Sequence, residues 1–168
     1  MTTRVFVPLT RGDLQVLARD GVLPLPAGGV RAAHASTSAL QASWPDGDEE
    51  EWEYAALLTA AQESLELVAA AGEDAASARR RVAVLDVAAT VASPDPEAPE
   101  TGVGLPEPLR LDDVDAWHVD DDEAVATVAA AVTAIRQGAG DDDLIVRLEA
   151  CLDHDLGWYA PQELDQLL

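Results

Sequence analysis

Residues 48–72 (DEEEWEYAALLTAAQESLELVAAAG) constrain the fold more than any other stretch of this chain. Asp48 and Glu51 have the spacing of a capping box, in which each side chain satisfies the other residue's backbone N–H. Glu49, Glu50 and Glu51 fall in the first turn, where the helix dipole favours negative charge. Tyr54, Leu57, Leu58, Ala61, Leu65 and Val68 then repeat at three and four residues, and Gly72 suits the left-handed residue that closes a helix. The spacing predicts a helix over 49–71 with one apolar stripe, and such a stripe must be buried against another element.

Strand-like segments supply that element. RVFVP at 4–8 is β-branched and aromatic and predicts the first strand. Thr10 and Asp13 can cap a helix that Gly21 ends, with Leu9 and Leu14 as a hydrophobic staple and Leu14, Leu17 and Ala18 on its apolar face. Two prolines and two glycines make 22–29 a connection. A short second strand follows over 30–35, then a helical stretch at 38–44 that stops at Pro45. RRRVAVLDV at 79–87 reads as a strand with a basic start, and 93–108, holding five prolines, reads as a loop.

A further strand over 114–119 leads into a helix over 121–137, with Asp120 and Glu123 at capping-box spacing, a stripe of Val125, Val128, Val132 and Ile135, and Gly138 as its stop. Residues 143–153 fit two patterns. Leu144, Val146, Leu148, Ala150 and Leu152 alternate as in a strand, whereas Leu144, Leu148, Cys151 and Leu152 share a helical face; the alternation favours a strand. Residues 156–159 predict another strand, and Pro161 opens a terminal helical turn. The pattern predicts one α+β domain: a two-layer mixed sheet of four to six strands with helices mainly on one face, in a ferredoxin-like or related split βαβ topology.

Charge narrows the function classes. The 168 residues carry 32 acids against 10 basic residues, a net charge of −22, and every basic residue is arginine. Such a surface repels phosphate backbones and anionic headgroups, so neither nucleic acid nor membrane is an expected partner. The acidity suits a solvating surface, a basic protein partner, or mimicry of a polyanion. It is also uneven: residues 1–44 hold four arginines and two aspartates, while 45–168 hold six arginines and thirty acids. The single cysteine, Cys151, allows no internal disulfide, residues 1–10 have no apolar run of the signal-peptide kind, and the weakly polar run 124–135 is far short of the ~20 residues a membrane span needs. A cytoplasmic location is the expectation.

The search for reactive constellations yields one metal candidate. His118, Asp120, Asp121 and Asp122 crowd the end of a strand, and His154 joins them if the chain folds back, giving an oxygen-rich corner for a divalent cation. The same acids also suit capping and the helix dipole. The run at 141–143 lacks the alternating ligands of a calcium loop and reads as a solvated turn. No serine sits in a nucleophile elbow, Cys151 reads as a buried small side chain, and the phosphate-binding glycine motifs are absent, as is any lysine to serve them. No residue is assigned a catalytic or cofactor-binding role. Of the aromatics, Trp52, Trp158 and Tyr159 are candidates for an interaction surface, although Trp44, Trp52, Trp117 and Trp158 are also the largest rings available to the core.

RVFVPLT at 4–10, EYAALLTAAQESLELVA at 53–69, HVDD at 118–121 and HDLGWYAPQEL at 154–164 together resemble an uncharacterised family of small acidic proteins from high-GC actinobacteria. The resemblance implies a bacterial cytosolic protein and brings no catalytic residue with it. The expected function is a non-enzymatic interaction protein that engages a basic protein partner or mimics a polyanion. The alternative is a carboxylate-dependent metal-binding protein or metalloenzyme centred on the strand-end acids.

Overall fold

Val5, Val7 and Leu9 alternate with Phe6 and Pro8, and this period of two builds β1 (Thr2–Leu9), the middle strand of the sheet. The computed structural model describes residues 1–168. Thr10 caps α1 (Arg11–Asp20) in the expected box with Asp13, and Gly21 ends that helix at φ 71°. The chain continues through β2 (Val22–Leu23), β3 (Arg31–Ala35) and α2 (Ser38–Ser43) into the long helix α3 (Glu49–Ala71), whose Asp48–Glu51 box and left-handed Gly72 are also as predicted. Next come β4 (Arg81–Ala88), β5 (Ser93–Pro94), β6 (Gly102–Leu105), β7 (Leu109–Arg110) and β8 (Ala116–Val119). Helices α4 (Val125–Gln137) and α5 (Asp141–Leu152), strand β9 (Gly157–Tyr159) and a 3₁₀ turn over Pro161–Gln166 complete it. No helix is long and apolar enough to cross a membrane.

Seven strands form one sheet in the order β5-β6-β3-β1-β4-β8-β9, and β2 pairs with β7 apart from it. The class is α+β, as expected. Every neighbouring pair is antiparallel. β3 and β4 run the same way on either side of β1 and are joined through α2 and α3, a split βαβ unit whose inserted strand is the first of the chain.

Alternation along the strands feeds two faces. Phe6, Val82, Val84 and Ala116 pack on Ala56, Leu57, Ala60 and Ala61 of α3. Beyond them Leu65 and Val68 of α3 meet Val128 and Val132 of α4 and Cys151 of α5, so three helices lie on this side. On the other face Val5, Val7, Leu85, Trp117 and Val119 are covered by Leu14 and Leu17 of α1, by Leu23 and Leu109 of the two-stranded ribbon, and by Leu164 and Leu167. The predicted second layer is therefore joined by a thinner third one.

Three local expectations are corrected. On α3, Tyr54 is exposed and Leu58 only half-buried, while Ala56, Ala60 and Ser64 are buried. Small residues let α3 lie close to the sheet, and the Ser64 hydroxyl donates to the Leu9 carbonyl at 2.7 Å while accepting the Arg81 N–H at 2.9 Å. Within 93–108, Gly102–Leu105 is a sheet strand with Val103 and Leu105 buried, and proline enters a ladder only at Pro94 on the edge. Finally, 143–153 is helical: Leu148 and Cys151 pack towards α4, whereas Ile145, Val146 and Leu152 are exposed. The alternation there came from apolar residues on opposite sides of one helix.

Candidate functional site

The chain leaves β8 at Val119, and Asp120 turns inward rather than capping the next helix. Its carboxylate, 1% exposed, accepts the Arg80 backbone N–H at 2.7 Å, Arg80 Nε at 3.1 and 3.0 Å, and Arg80 Nη2 at 2.7 Å. Arg80 Nη2 also donates to the His154 carbonyl at 2.8 Å. Asp121 instead accepts from the Glu123 and Ala124 N–H groups at 2.9 and 3.3 Å, closing a turn ahead of α4, which starts later than predicted and without a side-chain cap. Asp122 is exposed and pairs with Arg79, and His154 Nε2 lies 3.1 Å from Thr127 Oγ1. Asp120, Asp121, Asp122 and His154 are thus engaged separately, His118 lies apart from them, and no group of three or more His, Cys, Asp or Glu side chains is arranged to hold a metal ion.

His118 belongs to a different structure. It follows Ala116 on the α3 side of β8, with its Cα opposite those of Val82 and Trp158. There the first turns of α3 stand over β1, β4, β8 and β9, leaving a cleft of about 400 Å³ lined by Arg4, Glu50, Glu53, Tyr54, Asp115, His118 and Trp158 over an apolar floor of Phe6, Leu57, Val84 and Ala116. Trp158 is 62% and Tyr54 49% exposed, so two large rings flank an acidic opening. Arg4 is the one cation, and it is shared between Asp86 at 3.2 Å and Glu53 at 3.5 Å. Burial raises the Glu53 carboxyl above its usual range against the pull of Arg4, and Glu49 and Asp86 add to the rise. The cleft therefore has more negative charge than its own arginine neutralises.

His118 Nδ1 is buried without a hydrogen-bond partner, and burial pushes the imidazole below its ordinary 6.5. Linkage gives the sign. The unfolded chain takes up this proton near 6.5 while the folded chain resists it, so stability falls as pH drops through and below that value until the folded imidazole also titrates. Urea midpoints at about pH 7.5 and about pH 5.5 should differ less in His118→Gln than in the wild type; an unchanged difference would mean that His118 plays no part in it.

Successive strand residues point to opposite faces, which separates the interaction candidates. Trp158 faces the acidic cleft. Tyr159 faces away from it, half-buried against the other side of the sheet. Trp52 is elsewhere: its Nε1 donates to the Trp44 carbonyl at 3.1 Å, and both rings crowd Gly47, where an added Cβ would lie 2.6 Å from Trp52 Nε1. It closes the corner between α2 and α3. Among residues the sequence did not flag, His34 is fully buried between Thr101 Oγ1 at 2.9 Å and Glu63 Oε2 at 2.6 Å. Thr101 is buried as well, so this hydroxyl–imidazole–carboxylate chain is a tie between β3, α3 and the turn before β6. Its one sequence signal was a histidine in an apolar strand.

Fold and cleft together define an antiparallel α+β protein with an acidic, aromatic-flanked cleft at the start of its longest helix. A family model described as a family of unknown function (DUF6912) matches residues 3–168, and the chain belongs to that family. No curated protein and no solved structure matches it.

Proposed function

We propose that this is a non-enzymatic cytosolic interaction protein that binds a basic segment of a partner protein, seating a cationic side chain between Tyr54 and Trp158. The observation that carries the reading is the meeting of two exposed rings with Glu50, Glu53 and Asp115, which outnumber the one arginine of the cleft. A guanidinium or ammonium over an aromatic face gains about 0.5–2 kcal/mol, and adjacent carboxylates add to it. The −22 net charge would speed the approach of a basic partner and make binding salt-sensitive. The free, buried Cys151 is in keeping with a reducing compartment.

Fluorescence anisotropy of a labelled arginine-rich peptide tests the reading. Affinity should fall with added salt, and Trp158→Ala should weaken it by about 2- to 30-fold without lowering thermal stability, since the ring is mostly exposed. Glu50→Gln with Glu53→Gln should weaken it further. Salt-sensitive binding that ignores Trp158→Ala would replace the cleft with a diffuse charge effect, the behaviour of a polyanion mimic.

A further inference from the structure

We infer that the opposite face of the sheet carries a second site, a cleft that binds the phosphate group of a small molecule. It lies at the start of β4, encloses about 420 Å³, and gathers Arg11, Arg79 and Arg81 with Ser77, Tyr159 and Gln166. All ten cations of this acidic chain are arginines, and three of them share this one space.

The acids nearby are already engaged. Asp120 is taken by Arg80, Asp121 accepts from the backbone of the turn ahead of α4, and Asp122 extends outward to pair with Arg79. Arg81 is 3% exposed, and its Nη1 reaches Glu73 at 3.2 Å and the Arg79 carbonyl at 3.0 Å. Arg81 Nε is buried with no partner, and the Arg11 guanidinium makes neither an ion pair nor a hydrogen bond. Burial lowers the Arg81 guanidinium despite Glu73, and the charges of Arg11 and Arg79 lower it further. One guanidinium without a partner and a second with an unsatisfied N–H therefore share this space.

A buried guanidinium short of acceptors is costly, and a tetrahedral oxyanion offers acceptors in the geometry that forked N–H groups match. The ligand must be small. The overall charge opposes a nucleic acid or a membrane at long range, whereas inside the cleft Arg11 is unpaired and Arg81 keeps an unsatisfied Nε–H for a small anion. Tyr159 and Gln166 would meet the remainder of the molecule.

The probes are inorganic phosphate and pyrophosphate, compared with chloride at equal ionic strength because screening alone stabilises so charged a protein. Thermal unfolding should move upward saturably with phosphate beyond the chloride effect, and Arg81 Nε–H should shift in nitrogen-15 NMR spectra. Arg11→Ala removes an unpaired surface side chain, so the protein should fold normally and bind about tenfold or more weakly. A phosphate effect equal to that of chloride, or unchanged in Arg11→Ala, overturns the inference. Peptide binding in the Trp158 cleft stands or falls separately.

Discussion

Asp120→Ala is expected to lower the stability of the fold by about 3–5 kcal/mol in urea denaturation, the cost of leaving a buried charge without its partner. Arg80 and Asp120 are each 1% exposed, and the carboxylate takes both the guanidinium and the backbone N–H of the same arginine. With the carboxylate gone, the guanidinium keeps only the His154 carbonyl. The pair ties the start of β4 to the turn between β8 and α4 and holds the guanidinium that reaches the segment before β9, so its loss loosens one of these two connections directly and the other through Arg80. Arg80→Ala should be comparably damaging. Removing both charges in Arg80→Met with Asp120→Leu should recover much of the loss, because desolvating two ions offsets most of what their attraction returns. A single-variant cost below about 1 kcal/mol would show that water reaches the pair.

The misassignment of Asp120 shows where local reasoning stops. A carboxylate in front of a helix can cap it or turn into the core, and the deciding residue here, Arg80, lies forty positions earlier. Where the deciding partner was local, the sequence was readable: Thr10 with Asp13 and Gly21, and Asp48 with Glu51 and Gly72, all formed as spaced. β6 was hidden because GVGL has only two large side chains and sits among prolines. Its Gly104 answers a distant neighbour, since a Cβ there would meet Val30 Cγ1 at 2.6 Å.

The acidic cleft was half legible for the same reason. His118 and Trp158 were singled out, but Tyr54 was assigned to the α3 stripe, Glu50 carried only a dipole role, and Arg4 and Asp115 carried no signal. The cleft's residues run from 4 to 158 and meet only through the sheet order. The arginine cleft likewise depends on α1 reaching the start of β4, a consequence of the Thr10 cap combined with the β1–β4 pairing, in which Leu9 lies opposite Arg81.

Of the four tryptophans, Trp117 alone is fully buried, at 1% exposed, and Trp117→Ala should cost about 3–5 kcal/mol. The ring sits in the core of the α1 face beside Leu164 and Leu167, and its Nε1 donates to the Pro161 carbonyl at 3.2 Å, so it holds residues 161–168 against the sheet. Trp117→Phe should cost less, because most of the volume is kept and the main loss is the donor to Pro161. The two clefts should respond differently. Gln166 and Leu167 line the arginine cleft, so Trp117→Ala should weaken phosphate binding, and hydrogen exchange should quicken in 161–168. Ala116 and His118 face the other way, so under conditions where the variant remains folded, arginine-rich peptide should bind with nearly wild-type affinity. Equal weakening of both ligands would mean that the sheet, rather than the segment pinned by Trp117, is what the substitution disturbs.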